Sequence, residues 1–202
     1  VMIKTSPLLD LSATLSDLND VKEVHIIAVN NEVKELLWIL ERNYKDKVDI
    51  KTANLQKDSL QNFNFIFEEE SIAKVEYSAP LTYLYEPNSA LLKAGAFNSI
   101  SEIINVSKLH KHSHLYTSEV LIDFPGRRFK IKKLIPFNKK SFAKEKITKA
   151  NITTRNFPVS VFEIRKKLKI KDGGSTYLFF TTDLNNEKII LICSKLNAQL
   201  TN

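Results

Sequence analysis

Along the first third of the chain, apolar residues fall into short blocks bounded by turn-forming residues: VMIKTS, VKEVHIIAV, VDIKTANL and NFNFIFEE. Blocks of this length, rich in β-branched and aromatic residues, predict strands. The continuous VKEVHIIAV is of the kind a parallel sheet covers on both faces. Two segments between the blocks carry helical spacing. LDLSATLSDL reads as a modest helix. In EVKELLWILERNY, Val33, Leu36, Leu37 and Leu40 fall at i, i+3, i+4 and i+7, which predicts a second helix after the turn-tolerant Asn30–Asn31. Strand and helix alternate as in a doubly wound α/β fold. The segment is shorter than the ~100 residues or more of a complete domain of that kind, so it reads as part of a sheet.

The acidic run Glu68–Glu70 and SIAKVEYSAPLTYLYEPN mark a boundary, and the grammar then changes. Asn88 can cap a short helix through SALLKAG, ended by Gly95, and Ser99 and Glu102 have capping-box spacing for another. HLYTSEVLIDFPGRRFKIKKL reads as a hairpin turning at Pro125–Gly126. KKSFAKEKITK fits a helix or a solvated loop, and ANITTRNFP is extended. Ser160 and Glu163 form a capping box before VFEIRKKLKI, whose buried stripe is Val161, Ile164 and Leu168. Asp172-Gly173-Gly174 reads as the helix stop, and STYLFFTTD and KIILICSK as a closing hairpin over LNNE. The second half is therefore α+β.

Charge divides the same way. Residues 1–100 hold 10 Lys and Arg against 15 Asp and Glu, and residues 101–202 hold 20 against 8, so a mildly acidic half (−5) joins a strongly basic one (+12). A polyanion is the simplest partner for the basic half. The single cysteine, Cys193, excludes an internal disulfide and a multi-cysteine zinc site and suits a reducing cytoplasm. No apolar run approaches the ~18–20 residues of a membrane span, and no signal peptide is visible, so no membrane partner is expected. Val1 is not a start residue, and a chain opening on VMIKTSPLLD reads as cut from something longer.

The basic residues concentrate in three places. On the hairpin, Arg128, Lys130 and Lys132 would share one strand face at roughly 6.7 Å intervals, with Arg127 and Lys133 beside them; such a row can track a phosphate backbone. On the late helix, Arg165, Lys166 and Lys169 flank the buried stripe. Arg155 precedes that helix, and arginine can hold phosphate bidentately or stack on bases. A solvated strand or helix face would look similar one cluster at a time; several clusters in one domain favour a shared basic face.

Other candidates lead away from catalysis. His110, His112 and His114 would lie on one side of a strand, but no carboxylate or cysteine completes a metal set and Lys111 would repel a cation, so loop or RNA-contact histidines are expected. KDGGST lacks the order of a phosphate loop, and no G-x-G-x-x-G occurs among the four glycines. Cys193 lies in an apolar strand, where a buried inert thiol is expected. No catalytic, cofactor-binding or metal-binding residues are assigned.

Taken in order, IKTSPLLDL, VHIIAVNNEVKELLWIL, YLYEPNSALLKAGAF, SHLYTS, FPGRRFKI, NFP and RKKLKIKDGGSTYLFFT resemble the C-terminal portion of class I S-adenosylmethionine-dependent methyltransferases of Bacteroidetes that carry ferredoxin-like and THUMP-like domains. The resemblance implies three segments: residues 1–72 as the C-terminal strands of a Rossmann-like methyltransferase sheet, 73–125 as a ferredoxin-like segment and 126–202 as a basic THUMP-like domain. THUMP domains accompany RNA-modifying enzymes, so transfer or ribosomal RNA is the implied substrate. S-adenosylmethionine would be the cofactor of the parent enzyme, bound in a preceding half that supplies the glycine-rich turn and catalytic loop, and none is expected on this chain. The KTSP turn, Lys4 to Pro7, could approach the substrate side without being catalytic. Two other readings compete: a stand-alone RNA-binding protein beginning near Met2, and the accessory part of a methyltransferase acting on a protein or small molecule. A half sheet should also expose an apolar edge able to pair with a second copy.

Overall fold

A computed structural model describes residues 1–196, which form two compact units. The first comprises Val1–Val75 and Pro87–Asn105, the second Glu76–Glu86 and Val106 onward. Each contains one mixed sheet and a few short helices, so the expected mixture of α and β elements holds, but the doubly wound alternation does not occur: four strands follow one another between Val21 and Ile66 with no helix between them. No helix among the described residues is long and apolar enough to cross a membrane.

In the first unit, β1 (Met2–Thr5), β2 (Val21–Val29), β3 (Glu32–Leu40), β4 (Asp49–Gln56) and β5 (Ser59–Ile66) pair in the order β1-β3-β2-β4-β5. β2 and β4 run parallel, and the other pairs are antiparallel. Helix α1 (Leu11–Asp17) starts at Asp10, whose carboxylate accepts from the Ala13 amide at 2.8 Å. Helix α2 (Ser89–Ala94) packs on β2, β3 and β4 and is bounded as expected by the Asn88 cap and by Gly95, in the left-handed region at φ 74°.

The helix expected over EVKELLWIL is strand β3. Its unbroken Leu36–Leu40 apolar run satisfies a period of 2 as well as 3.6, so periodicity alone could not decide. The turn decides. Asn30 and Asn31 both have positive φ, 50° and 63°, the conformation of a two-residue hairpin turn, and β3 folds straight back on β2. Helix α3 (Ser99–Ile104) also departs from expectation. Instead of a Ser99–Glu102 capping box, the Glu70 carboxylate accepts from the Asn98 and Ser99 amides at 2.7 and 2.8 Å.

In the second unit, β6 (Tyr83–Pro87), β7 (Ser107–Lys108), β8 (Tyr116–Ser118), β9 (Gly126–Pro136), β10 (Asn151–Arg155), β11 (Thr176–Thr182) and β12 (Lys188–Leu196) pair in the order β10-β11-β12-β9-β6-β8-β7. The β11–β12 hairpin is as expected. The hairpin expected at Pro125–Gly126 does not form: β6 lies between β8 and β9, and β9 pairs with β12 instead. Pro125 is a bend and Gly126 already the first residue of β9, and the pairing is set by strands far away in sequence. Helices α4 (Lys139–Lys144) and α5 (Val161–Leu168) contribute Phe142 and Ile164 to a core with Ile135, Leu178, Phe180, Ile190 and Ile192. On the other sheet face, Leu84, Leu109, Leu115, Phe129, Phe179, Leu191 and Cys193 form a second core. Helix α5 has the expected Ser160–Glu163 capping box but ends at Lys169, left-handed at φ 55°, before the glycines are reached.

Candidate nucleic-acid interface

The two faces of the second sheet carry basic residues in different surroundings. Strand β12 alternates, with Ile190 and Ile192 under the helices and Leu191 and Cys193 on the other side. Its antiparallel partners on β9 inherit those faces: Arg128 opposite Leu196, Lys130 opposite Ser194 and Lys133 opposite Ile192 lie on the helix side. The expected row Arg128–Lys130–Lys132 is interrupted, because the register passes from Ile131 opposite Cys193 to Lys133 opposite Ile192. Lys132 is the extra residue of a β-bulge, and Lys133 takes its place in the alternation.

Arg127 belongs to the opposite face. Its guanidinium lies 5.6 Å from the ring centre of Phe129 and donates from Nε to Glu86 at 2.6 Å. Arg155 joins the same carboxylate, donating from Nη2 at 2.9 Å and Nε at 3.2 Å. Glu86 is only 3% exposed, so two arginines compensate one buried carboxylate. This network fixes β6, β9 and β10 together, and it employs Arg127 and Arg155 structurally. Sequence reasoning missed Glu86, for a lone acidic residue in TYLYEP gives no sign of its partners.

Other predicted contacts are partly engaged. Arg128 pairs with Asp123 at 3.1 Å and Lys133 with Glu145 at 2.7 Å. Arg165 turns along its helix: it donates to the Ala150 and Ile170 carbonyls at 3.2 and 3.4 Å and pairs with Asp172. It thereby ties the end of α5 to its neighbours. Lys130, Lys132, Lys166 and Lys169 are exposed and have no ion-pair partner among the described residues. Helix α4 adds Lys139, Lys140 and Lys144, all exposed, which sequence reading left unassigned in a segment that could be helix or loop. With Phe142 turned into the core, helical spacing sends Lys140 and Lys144 outward, while Lys139 lies at the start of the helix. The exposed surfaces of α4, α5 and the bare part of β9 thus share one basic side.

The histidines lie in a turn, so they do not line one strand face. The His110 and His112 ring centres are 5.6 Å apart, and His110 Nδ1 lies 3.0 Å from the His112 amide that donates to it and 2.9 Å from Asn156 Nδ2. Burial first, then the charges of Lys108, Arg155 and His112, pull the His114 pKa down to about 4, so its ring is neutral at pH 7. No group of three or more His, Cys, Asp or Glu among the described residues is placed to hold a metal. Cys193 is buried, with its thiol pushed up to about 12, as an inert core residue requires. In the first unit the first two residues of KTSP end strand β1: Thr5 accepts from Trp38 Nε1 at 2.9 Å, and Lys4 pairs with Glu35 at 2.5 Å.

Comparison with known proteins finds two family matches. Residues 83–125 match a family described as a ferredoxin-like domain, and residues 126–195 match THUMP domain-like. A solved structure, "Crystal structure of putative methyltransferase from Porphyromonas gingivalis W83", superposes with a TM-score of 0.91 at 39% identity, covering 97% of this chain and 51% of that one. The chain therefore spans about half the length of that solved protein. No curated protein matches.

The residues present do not fit S-adenosylmethionine. A nucleotide cofactor of this kind needs a glycine-rich turn against which its backbone can lie. The first unit has one glycine, Gly95, and it serves to end α2.

Proposed function

We propose that this chain is the RNA-binding accessory part of an S-adenosylmethionine-dependent RNA methyltransferase, with the basic side of its THUMP-like domain holding transfer or ribosomal RNA. The observation that carries the reading is the gathering of exposed lysines from β9, α4 and α5 on one side of one sheet, among them Lys130, Lys166 and Lys169 without carboxylate partners, with Lys132 beside them at the bulge. Arg127 and Arg155 support that surface from behind, while Arg128, Lys133 and Arg165 sit at its margin and can exchange an acidic partner for phosphate. The similarity to a protein called a methyltransferase, twice as long as this chain, supports placing the chemistry outside these residues.

In this reading residues 1–72 are the last strands of a Rossmann-like catalytic sheet, 73–125 the ferredoxin-like link and 126–202 the THUMP-like domain, of which 197–202 lie outside the described residues. Edge strand β1 then receives a strand from the preceding half, and the enzyme works in the cytoplasm. The first test is binding of a transfer RNA by fluorescence anisotropy between 50 and 200 mM salt. Binding should be sequence-tolerant and fall steeply with salt. Salt-independent binding, or capture of one acidic protein with no RNA, would overturn the RNA reading.

A further inference from the structure

Of the twelve phenylalanines, only Phe162 is exposed, at 76%. The others within its reach are used differently: Phe142 lies inside the core under α4 and α5, and Phe137 and Phe157 pack against it. Phe162 sits near the start of α5, off the stripe that buries Ile164. On a helix, Lys166 at i+4 is its neighbour, with Cβ atoms about 5–6 Å apart, and Lys169 follows where the helix ends. Both lysines are exposed and without an acidic partner among the described residues. The adjacent acid, Glu163, is held in its capping box, where bonds from Ser160 keep its pKa below the usual range. An exposed phenyl ring therefore stands beside unpaired cations, within a surface whose remaining exposed side chains are mostly lysine.

That juxtaposition suits a particular ligand. A phosphate backbone alone needs cations and has no use for a ring, while an apolar protein partner would want several apolar neighbours around it. An unpaired nucleobase presents a flat π-face to an aromatic ring while its flanking phosphates meet cations at a few ångströms. Duplex RNA keeps its bases stacked and cannot offer one. We propose that Phe162, with Lys166 and Lys169, forms a stacking platform for a base of single-stranded RNA. The proposal deepens the RNA-binding reading and rests on it.

The test uses the full chain and three probes: a twelve-nucleotide oligouridylate, a duplex RNA of equal length, and heparin, which has charge but no bases. Phe162→Ala, at an exposed position, should fold normally and lose about 5- to 160-fold in affinity for oligouridylate, the range of one base–aromatic stack. It should leave the salt slope, duplex binding and heparin binding unchanged. Phe162→Trp should retain affinity and show quenching of the new indole on oligouridylate addition, whereas Trp38, fully buried, should not respond. If wild type binds oligouridylate with a steep salt dependence and Phe162→Ala binds equally well, the platform is overturned and the RNA reading stands. If wild type binds no RNA, both fall. An equal loss by Phe162→Ala for heparin and oligouridylate would also overturn the platform, since no base would then be involved.

Discussion

Glu86 shows how little of a side chain's role its identity conveys. Its carboxylate is buried and its two arginine partners are 39% and 29% exposed at the side chain, so removing the carboxylate leaves two cations facing each other with partial solvent relief. Glu86→Ala should cost roughly 3 kcal/mol, the low end for a broken buried pair, and Glu86→Gln less; chemical denaturation measures both. His114 gives a sign that can be worked out. Unfolding returns the ring to about 6.5 from about 4, so between those values the unfolded chain binds a proton the folded chain refuses. Stability should fall as pH drops through that window and feel no contribution from His114 above it. His114→Asn, whose side chain tolerates the local φ of 51°, should flatten that part of the pH profile relative to wild type; identical profiles would sink the assignment. Neither role was legible in the sequence, because both depend on tertiary structure: His114 is shifted first by its burial, and Glu86 meets Arg127 and Arg155 from 41 and 69 positions away.

Elements with a local signal were readable, and those decided by distant partners were not. The Ser160–Glu163 box, the Asn88 cap and the β11–β12 hairpin carry their information within a few residues, and all three occur. Strand β3 was misread although its signal was present: two consecutive asparagines are a hairpin turn as readily as a helix entrance. The hairpin at Pro125–Gly126 failed for another reason, since nothing near the turn announces that β6 will lie between β8 and β9. The asparagine turn can be tested. Asn30→Val places a β-branched side chain at φ 50° and should destabilise by about 1–2 kcal/mol, whereas Asn30→Gly should change stability by a few tenths. Equal effects in chemical denaturation would mean the backbone conformation there is not the constraint.

For the whole molecule, the +12 charge of residues 101–202 pointed to a polyanion, but the sheet sorts that charge more finely than a count can. Arginines of the Glu86 network lie on one face, and unpaired lysines lie on the other with the helices. The two groups should behave differently toward RNA. Each lysine that neutralises a phosphate of a single strand releases condensed counterion worth about −0.7 in the slope of log affinity against log salt. Lys130, Lys132, Lys166 and Lys169 together then give a slope of roughly −3, and changing Lys130 and Lys166 to Gln should reduce its magnitude by about 1.4. Arg127→Gln should instead weaken folding, with little change of slope in the protein that remains folded. A slope that followed Arg127 and ignored the lysines would place RNA on the opposite face of the sheet, around Glu86 and His114, and the helix-side surface would lose its assignment.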